Sequence, residues 1–464
     1  MKKRVKNILI IVLSVLVAVS IGLNVYLATT SCTSTNTQTN KTTQNGTPPA
    51  PPNGGNSQGG NQQGGPGGDQ SSSVNQTGKT TVKSTKTIED KTLSSTKSDQ
   101  SAVLTKSGGK LTLDNVKVTK SGDSSNTENS EFYGVNAGVL TTKGSTTTIK
   151  NSNIKTSAKG ANAVFATGEN AKTYVKDTTI NTTGESSARG LDATYGGYIE
   201  ADNVTINTKG GSCATLATDR GEGTVKVKNS DLTTNGAGSP IIYSTGDISI
   251  DKTKGQANGA QIAVIEGKNK ATITNSTVNC SATGNRGTTD MCGVMIYQSM
   301  SGDAGQGTGT FTAKNSTLSV EKSSSLYKKA PMFFITNTDA VINLENTKLN
   351  FGSGVLIDAK GTSEWGTSGS NAGNVTLNAT NQTLKGKIQA DKISTVNINL
   401  KKSTFTGSIN TNKKAKKVTL TLDKNTKIKL TGDTYVTSLK NADKTNSNID
   451  LNGHKLYVNG KSIK

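Results

Sequence analysis

Two carboxylates are the side chains best placed to do chemistry: Asp219 in ATDRGEG (217–223) and Glu266 in AVIEGKN (263–269). If the phrases that hold them stack as neighbouring β-strands do, about 4.8 Å apart, and lie two layers apart, their carboxyls are separated by about 9–10 Å. That is near the upper edge of the spacing in inverting glycoside hydrolases, where one carboxylic acid protonates the leaving oxygen and the other activates water. Aligning the related phrases brings Thr245 and Gln298 into approximate register with the pair. It sets Asp192, Tyr195, Arg189, Arg220, Tyr243 and Tyr297 on or beside the same strip. An acidic, aromatic and arginine-bearing strip can also hold a sugar chain without cutting it. Tyrosines and carboxylates at strand ends equally serve to satisfy neighbouring turns, so all three readings stay open on the sequence.

Other chemistries are poorly supplied. The single histidine, His454, rules out a Ser–His–Asp arrangement near the strip. Several Asp clustered for calcium beside an Arg or Lys base, as a pectate lyase requires, are not recognisable. The four cysteines are Cys32, Cys213, Cys280 and Cys292, none at the spacing of a zinc ligand pair, so neither metal nor cofactor is expected. Cys280 and Cys292 flank the polar loop SATGNRGTTDM, and in an exported chain they are the candidates for a disulfide.

The strip needs a scaffold that returns to one place at regular intervals, and the chain repeats one phrase: apolar, any, Asn or Asp, Ser or Thr, any, apolar. It reads IKNSNI (149–154), VKDTTI (175–180), VKNSDL (227–232), ITNSTV (273–278), AKNSTL (313–318) and LENTKL (344–349). Between Val118 and Leu349 the closing apolar residues recur at gaps of 36, 26, 24, 28, 46, 40 and 31, and ISIDKTKG (248–255) splits the 46 in two. A base period near 23–28 with longer inserted loops signals a stacked repeat. Runs such as TTTIK, TVKVK and ATIT, separated by Gly, Asn, Asp and Ser, choose β-strands over helices. The fold predicted is all-β, a right-handed parallel β-helix solenoid of roughly a dozen coils with Asn stacked at a fixed turn. A thin repeated core explains how 31% hydrophobic residues suffice. From residue 375 the beat tightens, with VTLN, VNIN and VTLT 21 and 22 residues apart, and the last turn-rich stretch reads as a cap.

The ends predict placement. MKKRVK is followed by an uncharged run from Ile8 to Ala28, long enough to cross about 30 Å of hydrocarbon, with the basic residues inside. Residues 1–31 are therefore read as a signal or anchor segment, with Cys32 the candidate for lipidation. Residues 32–78, rich in Thr, Asn, Gln, Gly, Ser and Pro, read as a disordered linker. Residues 79–374 form the main body and 375–464 the lysine-rich terminal coils. This chain is expected at the outer face of a bacterial cytoplasmic membrane, tethered by its N-terminal segment. The formal net charge is +21, carried by 49 Lys and only four Arg, which argues against nucleic-acid reading. The last 90 residues hold 17 Lys against five Asp. An anionic cell-wall polymer, another polysaccharide, or a host glycan or protein is the expected partner, met by a monomer.

The phrases EFYGVNAGVL (131–140), RGLDATYGG (189–197), ATDRGEG, SPIIYSTGDI (239–248), AVIEGKN and GVMIYQSMSGDA (293–304) give the chain a family likeness. Over about residues 85–464 it resembles the adhesin-like, pectate-lyase-type β-helix surface proteins of Gram-positive and gut bacteria. The resemblance implies the fold. It leaves activity open, because that fold carries lyases, hydrolases, adhesins and phage tailspikes alike.

Overall fold

The computed structural model describes residues 74–284 and 290–463, so the expected export segment, Cys32 and residues up to 73 lie outside the described residues. The described chain winds into a parallel β-helix. Its first face is a sheet of 15 strands, from Thr77–Val82 to Ile449–Asp450, each strand between these two paired with the coil before and the coil after. That is more coils than the expected dozen.

A second and a third face complete each coil, as in Thr146–Lys150 and Asn153–Thr156. Where the corner between them is smooth, one strand serves both. Lys172–Thr182 pairs with each of those two strands in turn and bends at Asp177, whose φ is 47°. This corner is where the repeated phrase sits. Asn115, Asn151, Asn203, Asn229, Asn275, Asn315, Asn346 and Asn381 all adopt φ between 46° and 54°, the left-handed region that Asn tolerates better than most residues. Their amides bond from coil to coil: Asn203 Nδ2 donates to Asp177 Oδ1 at 2.7 Å, and Asn346 Nδ2 to Asn315 Oδ1 at 3.0 Å. The Ser or Thr that follows turns inward. Ser230 Oγ accepts from the Val204 amide at 3.0 Å and donates to the Lys228 carbonyl at 2.6 Å, so a side chain satisfies backbone that the corner leaves unpaired.

The flanking apolar residues of each phrase, such as Ile149 and Ile154, are fully buried and stack in file with their counterparts above and below. At the corner that returns to the first face, Gly184, Gly210, Gly236 and Gly259 stack instead. A Cβ on Gly210 would fall on the Gly184 carbonyl oxygen, and one on Gly236 on the Gly210 carbonyl oxygen, each well inside van der Waals contact.

The tighter C-terminal beat has a structural cause. The separate third face ends at Lys348–Asn350, and afterwards a strand such as Thr383–Ala390 runs from the Asn corner straight into the first face. Val375, Val396 and Val418 are in register across these shorter coils. A small sheet closes this end, where Leu456–Val458 pairs antiparallel with Lys461–Ser462.

The described residues hold one short helix, Thr127–Tyr133, capped by the Asn126 side chain and by left-handed Gly134. One expectation is corrected. Cys280 and Cys292 are both free thiols rather than a disulfide. Cys280 ends an inward-facing strand in the main core, whereas Cys292 packs in a separate outer cluster with Val264, Met295, Phe334 and Trp365. Burial pushes the Cys280 thiol up to about 12 and the Cys292 thiol well above its ordinary value, so neither is reactive.

Candidate functional site

The phrases aligned in the sequence stack on the first face. Leu191, Leu216, Ile242, Ala263, Val294 and Phe333 are in register and point into the core. One residue on, the outward column reads Asp192, Ala217, Tyr243, Val264, Met295 and Phe334. An outward column this apolar would be a liability in water, and it is covered at both ends.

At one end lies the helix Thr127–Tyr133. Seven residues are too few for a helix to be stable alone. It is held by Thr194 Oγ1, which donates to the Phe132 carbonyl at 2.8 Å, and by the stacking of Tyr133 on Tyr195 with centroids 5.4 Å apart. At the other end Trp365 meets Tyr297 edge to face at 5.4 Å. Asn371 fixes that loop by donating to the carbonyls of Thr362 and Trp365 at 2.6 and 2.7 Å. Between the two covers lies a cleft of about 550 Å³, with Tyr243, Glu266, Met295, Tyr297 and Trp365 among its walls.

Arg189 stands at one edge of the cleft. Its Nη1 donates to Asp192 Oδ2 and Asp219 Oδ2, both at 2.7 Å, and all three side chains are buried. Burial raises both carboxyls, and one guanidinium cannot offset it for two of them. Asp192 is pushed up to about 6 and Asp219 to about 8. The two carboxyls share one buried guanidinium, and the pair is held above the ordinary carboxylate range. Arg220 pairs with Asp303 at 2.6 Å and lies over the Phe132 ring at 3.9 Å, tying the helix to the loop that carries Asp303.

Glu266 is the centre of the cleft. Tyr243 and Tyr297 hydroxyls donate to its Oε2 at 3.1 and 3.0 Å, while the Ser299 hydroxyl and backbone amide donate to Oε1, the amide at 3.3 Å. Four donors fill the acceptor sites of an ionised carboxylate and leave no acceptor for a proton on it. Burial pushes its pKa up, and the hydroxyls of Ser299, Tyr297 and Tyr243 oppose that. Burial also drives the Tyr243 phenol well above its ordinary value, so it remains a donor.

The structure thus brings Arg189, Tyr243, Glu266 and Tyr297 together and separates others from them. Asp219 is not in the cleft wall. Its Oδ2 is held by Arg189 and its Oδ1 by the Arg220 amide. Asp192 is sealed beneath the same arginine. The partner of Glu266 in register is Tyr297 rather than Gln298, a correction of one position. Gln298 turns away to donate to the Ala304 carbonyl at 3.2 Å. Tyr195 belongs to the helix contact. Trp365 was missed because it lies outside the aligned phrases, although it is the sole tryptophan of the chain and so carried a signal; Ser299 and Phe132 lie within GVMIYQSMSGDA and EFYGVNAGVL and were passed over for the tyrosines and carboxylates. Among the described residues no cluster of His, Cys, Asp and Glu could hold a metal ion.

In comparisons with family models, with curated proteins and with solved structures, nothing matches the chain.

Proposed function

We propose that this chain is an adhesin-like, surface-tethered binding protein whose cleft holds a saccharide. The observation that carries the reading is a concave site of ligand size, walled by Tyr243, Tyr297 and Trp365, whose two tyrosine hydroxyls are oriented by the Glu266 carboxylate behind them. Sugar rings present C–H faces that pack on aromatic rings and hydroxyls that need oriented polar partners, and sites of a few hundred Å³ with that mixture are the usual ligand sites. Cleavage by Asp219 and Glu266 is the weaker reading, since Asp219 is withdrawn behind Arg189 and Glu266 is held by four donors.

Because Trp365 is the only tryptophan, its fluorescence reports occupancy of this cleft alone. The full chain is expected to bind members of a glycan array, the bound members shifting Trp365 emission. Tyr297→Ala should weaken binding about tenfold or more, since it removes one aromatic wall and a Glu266 donor. Array binding that leaves both Trp365 emission and the Tyr297→Ala affinity unchanged would move the site elsewhere on the rod.

A second contact is supported by charge. Among the described lysines of residues 375–463, only Lys429 has a carboxylate within 4.0 Å, Asp450 at 3.7 Å. Unpaired lysines on the terminal coils suit an anionic wall polymer. Exposed charges act over about 8 Å at physiological salt, so co-sedimentation with purified walls should weaken as salt rises and fail on walls stripped of anionic polymer. Retention that ignores both would mean that the lysines serve solubility only.

A further inference from the structure

We infer that the rod carries a second binding site, on the edge where its third face ends, and that this edge takes an acidic, extended peptide segment of a partner protein as an added strand. The inference is independent of the cleft. Lys348–Asn350 is the last strand of the third face and pairs only with Thr317–Val320, one coil earlier. The Lys348 amide donates to the Ser316 carbonyl at 2.8 Å and the Gly352 amide to the Tyr327 carbonyl at 3.1 Å, so the even-numbered residues here bond to the coil before. Alternate residues of a parallel strand bond to opposite neighbours, and Leu349 and Phe351 therefore turn their N–H and C=O groups toward the following coil. That coil has left the face. Thr383–Ala390 runs directly to the first face and rejoins the stack at Lys387, whose amide donates to the Gly354 carbonyl at 2.7 Å.

The corner shows where the coils part. In the regular repeat a Ser hydroxyl bridges them, as Ser230 does for the Val204 amide, but here the longer Gln382 side chain is used, its Oε1 accepting from the Thr347 amide at 2.9 Å. Between that corner and Gly354 lies a groove of about 640 Å³ whose walls include Leu349, Phe351, Thr383 and the exposed Lys348 and Lys385. Leu349 is partly exposed, although Leu318, in register with it one coil earlier, is fully buried. Apolar side chains lack cover and backbone groups lack partners at the same place. Unpaired edges are where extended peptides add, the backbone giving affinity and the side chains specificity. A saccharide has no run of amides at strand spacing, which favours a peptide. Its charge follows from Lys348 and Lys385, neither of which has a carboxylate within 4.0 Å among the described residues. Two copies joined edge to edge would bring these lysines together, whereas Glu or Asp on an incoming strand would pair with them.

The test titrates the full chain with two fluorescently labelled peptides of equal length and charge, one alternating Glu and Val and one alternating Glu and Pro, followed by anisotropy at physiological salt. The Glu–Val peptide is expected to bind about tenfold more tightly or better, because Pro lacks the amide that an added strand must donate. Leu349→Pro, which removes a donor that no coil uses, and the double variant Lys348→Glu, Lys385→Glu should each weaken the Glu–Val peptide about tenfold or more. Equal binding of the two peptides would show charge attraction to a lysine-rich rod and nothing else, and overturn the inference. Binding that both variants leave unchanged, or binding of neither peptide, overturns it as well. If the chain dimerises in sedimentation and Leu349→Pro abolishes the dimer, a second copy is the occupant and the acidic partner is overturned. The wild-type comparison of the two peptides decides the inference even if Leu349→Pro does not fold.

Discussion

Replacing Arg189 by methionine is expected to cost about 3–5 kcal/mol at neutral pH and much less at about pH 4, the cost of leaving buried carboxyls without their cation. The substitution keeps most of the volume, so packing is nearly conserved. What changes is that Asp192 and Asp219 lose the group that reaches both at 2.7 Å. The sign of the pH effect follows from their raised values. A carboxyl whose pKa is higher folded than unfolded stabilises the fold fully below its unfolded pKa, near 4, and that stability is lost as pH rises through the folded value. In the native chain the loss spans about 4 to about 8, the upper limit set by Asp219. Without Arg189 the folded values climb further and the loss deepens at neutral pH. Below pH 4 both carboxyls are neutral in either state, and the buried guanidinium of the native chain is then the unpaired group. Urea unfolding of both proteins at pH 4 and 7.5 measures the difference. An equal penalty at the two pH values would mean that Arg189 contributes packing and not charge.

The second large effect belongs to the glycine column. Gly210→Val should cost about 3 kcal/mol or more, because the new side chain meets backbone and cannot be relieved by a rotamer change. Its Cβ would strike the Gly184 carbonyl, which can move only if two coils separate. The adjacent Gly211 is the control. A Cβ there meets nothing nearer than the Ala237 carbonyl oxygen at 3.5 Å, and its φ is not in the left-handed region, so Gly211→Ala should be neutral or stabilise by about 0.4–1 kcal/mol. Melting temperatures of the two variants give the comparison. Equal behaviour would show that the coils are spaced loosely enough to accept a side chain at this corner.

How much of this was legible depends on whether a residue belongs to the repeat. Asn151 and Ser152, Asn229 and Ser230, and Ile149 and Ile154 announced their roles, because a corner that recurs once per coil demands the same conformation and the same hydrogen bond each time. The first-face phrases were legible for the same reason, and Asp192, Tyr243, Glu266 and Tyr297 were found through them. Loops escape that logic. Trp365 and the helix Thr127–Tyr133 occur once, so no period marks them, and it is they that turn an outward strip into a cleft. Asp219 was read as half of a carboxylate pair with Glu266; stacking the phrases placed Arg189 beside the same strip but could not show that its side chain reaches both Asp192 and Asp219. The disulfide failed because flanking a common loop says nothing of which cluster each thiol packs into.

The place of the cleft within the stack has a consequence for its lifetime. Each coil is bonded only to the coils beside it, so opening begins at an end and proceeds one layer at a time. Four strands of the first face precede Leu191–Thr194 and five follow Phe333–Thr336. A protease or a thermal fluctuation that unzips an outer coil therefore meets several further layers before it reaches Glu266. The cleft occupies the part of the rod that opens last, and it should outlive the ends of its own scaffold.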